Sequence, residues 1–370
     1  SEMCIRDSES ILASTGYEAI VVDAGPLEYY FEDDMPKGFR PNHHFAHLCP
    51  ADGTGHLLIW TGQGKPVLLR YVPGGFWYEA PGDGESFWQG SYQDCHFGVE
   101  EDIWREAKGR LTSHKVCYLG EREAQASSHG WDVNPDAVRL PLQWSRSFKS
   151  DYEIACIEAA NQHAGKGHHA ARDAFLEGKG EYEIFMAYLT AMKAREADMP
   201  YEAIVALGEK AAVLHYQNKR TTGTSASFLL DAGAMCMGYA SDVTRTWFRD
   251  DAPTSYKELV RGVDQLQQGL CAKINGQQSM RDLHLAAHQA IAELLVAIGL
   301  CPQKSADEVY ESGFTRKFFP HGLGHLLGIM VHDVAGKQPG PEGGAFETLA
   351  SDPGLRTQRV LAERVVTTIE

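Results

Sequence analysis

The sequence predicts an α+β protein with a mainly antiparallel sheet, preceded by a smaller α/β region. Short apolar runs separated by glycine- and proline-rich turns fill residues 17–119, and such runs are typical of buried strands. From about residue 150 the apolar residues recur at helical spacing. Further along, helical stretches alternate with pairs of β-branched runs, which favours an antiparallel sheet. We therefore expect a first domain over residues 1–145 and a second over residues 150–370.

Length and composition fit a two-domain globular protein and argue against several function classes. The 370 residues are 43% hydrophobic and 23% charged, which is ordinary for a chain that buries two cores. A net charge of −16 argues against binding to nucleic acid or to an anionic membrane surface. No apolar run reaches the roughly 18 residues of a membrane span. The eight cysteines form no C-x-x-C pair, which indicates reduced thiols and a cytoplasmic protein.

Strands and turns dominate the first domain. The first ten residues, SEMCIRDSES, carry no apolar pattern and are not expected to join the fold. Pro135 and Pro141 are interpreted as the exit of the domain, followed by a connector over residues 142–150. We expect a helix around 97–111 and strands at 17–25, 56–60, 66–71 and 116–119.

Helices and hairpins alternate in the second domain. The helical pattern is expected over residues 150–177, 181–196, 256–273 and 279–299. Strands are expected near residues 201–206, 210–216, 226–231, 242–248 and 363–370. This alternation is the basis of the α+β prediction.

Two aspartates eleven residues apart are the most informative feature of the chain. Asp231 follows the apolar run FLL, and Asp242 opens the run VTRTW. This pattern predicts two strands joined by a tight turn. A turn centred between Cys236 and Met237 would place the two carboxylates opposite each other, roughly 4.5–5.5 Å apart. Like charges that close repel unless a cation lies between them, so a divalent metal or a pair of them is expected.

Histidines and a final glutamate complete the candidate metal site. The segment FPHGLGHLLGIMVHDVAG holds His321, His325 and His332. Its glycines argue against a helix, so we expect the histidines on a glycine-rich loop or strand. The β-branched run RVVTTIE ends on Glu370, and a carboxylate at the end of a buried strand must be paired or metal-bound.

Three carboxylates and one imidazole define the expected chemistry. The candidate ligands are Asp231, Asp242, His325 and Glu370. Hard oxygen ligands with a single nitrogen suit Mn²⁺, or Co²⁺ or Zn²⁺ in vitro, better than a structural zinc site. Two metals roughly 3.5 Å apart would hold a bridging hydroxide and polarise a carbonyl. The residues thus predict a metal-dependent hydrolase.

Four stretches carry a resemblance to a known family. They are MPYEAIVALGEKAAVLHY, SFLLDAGAMCMGYASDVTRTW, FPHGLGHLLGIMVHDVAG and VVTTIE. From about Tyr17 to the last residue, the chain resembles the bacterial Xaa-Pro dipeptidases, or prolidases, including the organophosphorus acid anhydrolase branch. The resemblance implies a pita-bread catalytic domain, preceded by a smaller creatinase-type α/β domain, and a homodimer. It also implies cleavage of the trans bond in Xaa-Pro dipeptides with a C-terminal proline, and a side activity on organophosphate triesters.

The resemblance assigns a role to each candidate ligand of a pair of metal ions. Asp231 resembles the first aspartate ligand of the family, and Asp242 resembles the aspartate that bridges both metals. His325 resembles the single histidine ligand, and Glu370 resembles the first glutamate ligand.

Five further positions resemble the substrate pocket of the family. His321 and His332 resemble the catalytic histidines that hold substrate and stabilise the tetrahedral intermediate. Tyr201, His215 and Val331 resemble pocket-lining positions. In such a pocket the bridging hydroxide would attack the carbonyl, and His332 would help to stabilise the oxyanion.

The chain also departs from the family. It stops at Glu370, where the family continues with residues that carry a second, bridging glutamate and a substrate-binding arginine. We therefore expect a prolidase that is incomplete at its C-terminus and lacks the fifth metal ligand. In that form it is expected to be inactive.

Several alternatives stay open. A related pita-bread aminopeptidase P, a metal-free creatinase-like enzyme and a non-catalytic binding module compete with the dipeptidase, although both aspartates count against the metal-free enzyme. His284 and His288, four residues apart, are interpreted as part of a half-buried amphipathic helix rather than as a metal pair. His168 is expected to be solvated or to cap a helix. For Asp33 or Asp34, a substrate contact in a partner subunit's pocket competes with ordinary surface acidity.

Overall fold

The computed structural model describes residues 2–75 and 86–370, with side chains from residue 9 onward. Packing divides the chain into two compact units. Within the described ranges, none of the helices combines the length and the apolar character needed to cross a bilayer.

Unit 1 comprises residues 1–146 and 341–343 and is built on a six-stranded mixed sheet. Its strands, β1 to β6, are Ala19–Asp23, Leu57–Trp60, Val67–Tyr71, Gln93–Phe97, Val116–Leu119 and Asp132–Val133. They lie in the order β4-β3-β2-β1-β5-β6, with β1 antiparallel to β2 and parallel to β5. Alternate residues of β1 belong to two different apolar clusters, so both faces of the sheet are covered. The helices, α1 to α5, are Glu2–Thr15, His43–Leu48, Glu100–Arg110, Glu123–Ser128 and Asp136–Arg146.

Two segments of unit 1 are helical where the sequence predicted none. The N-terminal residues form α1, and its Ile11 is buried in the core of the unit. The predicted connector is largely helical as well, because α5 runs on past Pro141. Val138 and Leu142, four residues apart, are both buried. Burial of this helix face outweighs the backbone hydrogen bond that Pro141 cannot make.

Unit 2 comprises residues 147–340 and 344–370 and combines long helices with a small antiparallel sheet. Its helices, α6 to α10, are Asp151–Leu176, Glu181–Met192, Thr254–Lys273, Met280–Ala297 and Ala306–Glu311. Its strands, β7 to β11, are Ile204–Leu207, Ser227–Asp231, Met235–Cys236, Tyr239–Ala240 and Thr244–Phe248. Strand β8 lies between β7 and β11, antiparallel to both, and β9 pairs with β10. The antiparallel pairing agrees with the predicted α+β class.

The first two helices of unit 2 support the sheet. Ser150 and Glu153 form a reciprocal capping box that starts α6. Gly167 of α6 allows the ring of Tyr188 on α7 to approach closely, since a methyl group on Gly167 would lie 2.6 Å from that ring. The apolar residues of β8 pack in the same buried cluster as Tyr188. The strand that ends in Asp231 therefore rests on a closely packed base.

Two segments of unit 2 that were predicted as strands are not regular strands. Residues 208–212 form a short 3₁₀ helix, and the left-handed backbone of Gly208 (φ 60°) ends β7 before it. The final segment, residues 363–370, is extended but makes isolated bridges rather than a continuous ladder. Arg364 has a left-handed backbone (φ 68°), which interrupts any strand that begins before it.

Candidate metal centre

The hairpin that carries the two aspartates has a register two residues away from the predicted one. Asp231 at the end of β8 pairs with Thr244 of β11 rather than with Asp242. The turn is centred between Met237 and Gly238, whose φ angles are 50° and 82°, and two positive φ values are typical of a type I′ turn. Because the shift is even, Asp242 remains on the same face of the hairpin as Asp231.

Gly233 allows the two arms of this hairpin to come together next to the aspartates. A methyl group on Gly233 would lie 2.0 Å from the carbonyl oxygen of Ser241, so a larger residue would displace the backbone. The Ala232 amide donates to Val243 O (3.1 Å), and the Ser241 amide donates to Ala234 O (2.9 Å). These bonds fix the separation of the segments that carry the two carboxylates.

Tyr201 joins the two aspartates. Its hydroxyl oxygen lies 2.7 Å from Asp231 Oδ1 and 2.7 Å from Asp242 Oδ1. A hydroxyl has one proton and can donate to only one carboxylate at a time, so the second contact requires a proton on an aspartate or a cation nearby. Burial, followed by the two aspartate charges, raises the pKa of Tyr201 well above its usual value, so the phenol stays protonated.

His325 is positioned by the last residues of the chain. The Thr368 amide donates to His325 O (3.0 Å), and the His325 amide donates to Thr368 Oγ1 (3.1 Å). Gly324 makes this approach possible, because a methyl group there would lie 2.1 Å from Thr368 O. The Glu370 amide in turn donates to Leu323 O (2.8 Å). The glycine-rich segment and the final segment therefore run side by side, which brings His325 and Glu370 together.

The His325 imidazole lies between two carboxylates. Its Nε2 is 2.9 Å from Glu370 Oε1 and 3.2 Å from Asp242 Oδ2. Thr368 Oγ1 also donates to Glu370 Oε1 (2.8 Å). Burial lowers the pKa of His325, but the hydrogen bonds to Asp242 and Glu370 outweigh it and raise the pKa to about 10. In the absence of metal, the imidazolium therefore supplies the positive charge between the two acids.

The pKa values of the two aspartates shift in opposite directions. Burial, followed by the charge of Asp242, raises the pKa of Asp231 to about 7. Burial also acts to raise the pKa of Asp242, but hydrogen bonds from His325 and Tyr201 outweigh it and lower that pKa. Interacting carboxylates split in this way when only one can ionise easily. A divalent cation would stabilise both charged forms, so the electrostatics and the oxygen-rich donor set both fit a metal.

The distances between the ligand atoms of the cluster also fit a bound metal. Ligand atoms of Asp242, His325 and Glu370 all lie within 4.8 Å of one another. Asp231 is outside that group and is tied to it through the Tyr201 hydroxyl. The side chains of Asp242 and His325 are 12% and 7% exposed, whereas Glu370 is 34% exposed. The aspartate and histidine ligands of this group are therefore mostly shielded from solvent.

His332, one of the two predicted pocket histidines, contacts the centre directly. Its ring packs edge-on against the His325 ring, with ring centres 4.3 Å apart and planes at 89°. Arg356 Nη1 donates to His332 Nδ1 (2.9 Å). Burial, followed by the charges of His325 and Arg356, lowers the pKa of His332. The ring is therefore neutral near pH 7, and because Nδ1 accepts a hydrogen bond, Nε2 carries the proton.

The remaining predicted pocket residues are less closely tied to the acids. His321 packs against Phe319, with ring centres 4.8 Å apart. Val331 packs against a small buried apolar cluster. His215 is exposed. The predicted residues that the structure brings together are Tyr201, Asp231, Asp242, His325, His332 and Glu370.

Two residues of the centre were not found by sequence analysis. Thr368 lies two positions before Glu370, and two-residue spacing in extended chain places side chains on one face. That spacing was a usable signal. Arg356 gave no such signal, because it lies in a segment without periodicity and reaches His332 only through the fold.

Comparisons with known proteins point to one family. Metallopeptidase family M24 matches residues 155–370, and the Xaa-Pro dipeptidase N-terminal domain matches residues 2–144. The Xaa-Pro dipeptidase of Shewanella amazonensis is 38% identical over 372 residues, which cover 99% of this chain and 83% of that protein. The Xaa-Pro dipeptidase of Pseudoalteromonas atlantica is 36% identical over 376 residues, which cover 100% of this chain and 84% of that protein.

Solved structures share the fold. Aminopeptidase P from Escherichia coli, in its low-pH form, has a TM-score of 0.76 at 20% identity, covering 94% of this chain and 85% of that chain. Proline aminopeptidase P II from Yersinia pestis has a TM-score of 0.73 at 20% identity, covering 94% of this chain and 86% of that chain. At such low identity the likeness establishes the fold alone, and it confirms the predicted pita-bread domain preceded by a smaller domain.

The fold and the site define a pita-bread metallopeptidase that uses divalent metal ions. Within that class, the chain belongs to the Xaa-Pro dipeptidases, whose members match it over nearly its whole length. It is therefore a metallo-dipeptidase, and its substrates are dipeptides. The predicted family and enzyme class are confirmed, and the aminopeptidase P alternative matches in fold at much lower identity.

Proposed function

We propose that this protein hydrolyses the Xaa-Pro bond of dipeptides with a C-terminal proline, at a centre that holds a pair of divalent metal ions. One observation carries the proposal: ligand atoms of Asp242, His325 and Glu370 lie within 4.8 Å of one another, and Tyr201 links this group to Asp231. The four residues come from separate segments of the chain. Bringing their carboxylates together opposes folding unless a cation compensates the repulsion.

The residues that would hold the metals are Asp231, Asp242, His325 and Glu370. When bound, the metals would polarise the scissile carbonyl and lower the pKa of a water molecule. Tyr201 orients Asp231 and Asp242 through its hydroxyl. Thr368 orients Glu370 and, through the backbone, His325. Such supporting hydrogen bonds fix the direction of metal ligands.

His332 supplies a hydrogen-bond donor at the edge of the centre. Since Arg356 donates to its Nδ1, the Nε2–H group is available to an oxygen of the substrate. A neutral donor placed beside the ligands would stabilise negative charge as it develops on the carbonyl oxygen. His321 would hold the substrate from the neighbouring segment, and Val331 and His215 would complete the pocket lining.

Three finer assignments form part of this proposal. Mn²⁺ is the preferred metal, because an oxygen-dominated set with one imidazole suits it better than Zn²⁺. A homodimer is supported by exposed apolar side chains in unit 1, with Phe31 91% and Met35 58% exposed. Cytoplasmic localisation is supported by the seven described cysteines, which are all thiols. Asp33, for which a substrate contact was one of two alternatives, lies in the same exposed segment as Phe31. It accepts a hydrogen bond from the Met35 amide (3.1 Å).

The test is the hydrolysis of Xaa-Pro dipeptides by the protein loaded with Mn²⁺. Asp242→Asn removes a charge that contacts both His325 and Tyr201, and should lower kcat by roughly 10²–10⁴-fold because metal polarisation is worth several kcal/mol. The matched control, Asp251→Asn, makes the same change at an exposed position and should leave turnover unchanged. Undiminished turnover by Asp242→Asn would refute the proposal.

A second substrate separates the two peptidase activities. A tripeptide with an internal Xaa-Pro bond has no free proline carboxylate next to the scissile bond. A dipeptidase should cleave the dipeptide and spare the tripeptide. Preferential cleavage of the tripeptide would favour the aminopeptidase alternative instead.

A further inference from the structure

A second group of metal-ligand side chains meets in unit 2, made of residues that the acidic centre does not use. His284 and His288 lie on successive turns of α9, and Asp352 comes from the segment that follows residue 344. Ligand atoms of the three lie within 4.8 Å of one another. The exposed fractions of these side chains are 0%, 0% and 5%. The predicted half-buried amphipathic helix is confirmed, and both histidines lie on its buried face.

The buried imidazoles lack ordinary hydrogen bonds. Among the described residues, no hydrogen-bond partner is found for either ring nitrogen of His284 or for Nε2 of His288. Each Nε2 lies 3.4 Å from Asp352 Oδ1, beyond the roughly 2.7–3.2 Å of an N–H···O bond. Buried polar atoms without partners are rare in native proteins. Two imidazole nitrogens and one carboxylate oxygen therefore lie close together, buried and without ordinary hydrogen bonds between them.

The spacing of these atoms fits a tetrahedral metal. Ligand atoms that lie about 2.0–2.1 Å from a tetrahedral ion are roughly 3.3–3.4 Å from each other. The two N···O distances of 3.4 Å agree with this edge length. Two histidines four residues apart on one helix, joined by a carboxylate, form a donor set that suits Zn²⁺.

Neighbouring residues hold the ligands in a suitable state. His288 Nδ1 lies 2.9 Å from Thr315 Oγ1, which leaves Nε2 for a metal. Arg316 Nε and Nη2 each donate to Asp352 at 2.8 Å. Burial would raise the pKa of Asp352, but hydrogen bonds from Arg316 and Ser351 outweigh it and keep the carboxyl ionised.

We propose that His284, His288 and Asp352 form a structural zinc site that is separate from the acidic centre. The competing arrangement is an Arg316–Asp352 ion pair beside two neutral imidazoles, which leaves His284 without a partner. The zinc site also has a consequence for the pocket. Phe319 contacts the rings of His284 (5.3 Å) and His288 (5.0 Å) and also that of His321. A bound ion would therefore restrict the movement of Phe319, which packs against His321.

The test measures zinc in a parent protein whose acidic centre is disabled by Asp242→Asn and His325→Leu. After loading with Zn²⁺ and dialysis, this parent should retain about one equivalent of zinc. His284→Leu and His288→Leu should each abolish retention. The matched control, His163→Leu, removes a histidine of α6 that contacts Met192 O (3.1 Å) and should leave retention unchanged. Zinc retention that is absent in the parent, or equal in the parent and in His284→Leu, overturns the proposal.

Two further measurements keep the test decisive if a leucine variant does not fold. Co²⁺ loaded into the parent should give the visible absorption bands of a tetrahedral ion, and the absence of these bands overturns the proposal. Thr315→Val keeps all three ligands but removes the hydrogen bond to His288, and should weaken zinc affinity roughly 10–100-fold. A purely packing role for the histidines predicts that affinity for zinc does not change. Neither measurement depends on peptidase activity, so failure here and failure of the proposed hydrolysis are distinguishable.

Discussion

At the scale of single residues, Tyr201 explains how two carboxylates can be buried next to each other. Its hydroxyl lies 2.7 Å from both Asp231 and Asp242 and donates its one proton to either of them. The His325 imidazolium supplies a positive charge on the other side of Asp242. Without metal, the centre therefore depends on the Tyr201 hydroxyl, on the raised pKa of Asp231 and on the His325 imidazolium, and a divalent ion would replace part of that compensation.

We expect Tyr201→Phe to destabilise the metal-free protein by about 1–3 kcal/mol, because it removes a hydroxyl that donates to charged groups. Bound Mn²⁺ should restore most of this loss, since the ion takes over the neutralisation of Asp231 and Asp242. Urea unfolding with EDTA and with Mn²⁺ measures both effects. Tyr216→Phe is the control, because Tyr216 donates to Glu181 (2.7 Å) outside the centre and should lose the same stability in both conditions. Mn²⁺ failing to rescue Tyr201→Phe would contradict this account.

At the scale of elements, glycines decide how closely the supporting segments approach. Gly233 brings the arms of the β8–β11 hairpin together, and Gly324 brings the histidine segment against the final residues. In both cases a methyl group would lie about 2 Å from a carbonyl oxygen, at 2.0 Å and 2.1 Å respectively. These glycines are required by the close approach of backbone to backbone.

We expect Gly324→Ala to destabilise unit 2 by at least about 1–3 kcal/mol, because the added methyl group overpacks the contact with Thr368 O. Metal affinity should fall as well, since the contact positions His325 and Glu370. Gly165→Ala is the matched control on helix α6, where nothing lies within 4 Å of the added group, and it should stabilise by roughly 0.5–1 kcal/mol. Denaturant unfolding and metal titration of both variants check this. Equal stability of the two variants would show that the space around Gly324 is not limiting.

At the scale of the whole molecule, buried neutral histidines couple folding to pH. His168 was predicted to be solvated or capping, but it is buried behind the sheet of unit 2 at 4% exposure. Its Nε2 lies 2.9 Å from Ala232 O, next to Asp231. Burial lowers the pKa of His168 to about 4. The fold therefore keeps this ring neutral at a pH where the unfolded chain would protonate it.

We expect the contribution of His168 to the free energy of unfolding to fall as the pH drops from about 6.5 towards 4. In this range the unfolded chain binds a proton at His168 that the folded protein does not bind, so stability rises with pH. The difference between folded and unfolded pKa values corresponds to at most about 3 kcal/mol. Urea unfolding at pH 7 and pH 4.5, with EDTA present, measures this dependence. His168→Gln should weaken it and the exposed neighbour variant His169→Gln should not; the reverse outcome would assign the effect to another group.

The sequence by itself determined the chemistry of the centre and most of the elements around it. Apolar spacing predicted the long helices of unit 2, the apolar run FLL predicted β8, and the β-branched run VTRTW predicted β11. The acids and histidines could be named from their types and from the family resemblance. Those patterns are local, so they could be recognised without knowing which segments meet.

Tertiary structure alone decided the register of the hairpin and the convergence of distant side chains. The predicted turn was displaced because nothing in the local pattern fixed where Met237 and Gly238 would take positive φ values. His284, His288 and Asp352 meet only because α9 packs against a segment without periodicity. Long-range packing selects such contacts from many that local propensity allows, and for that reason burial and partner choice cannot be read from spacing alone.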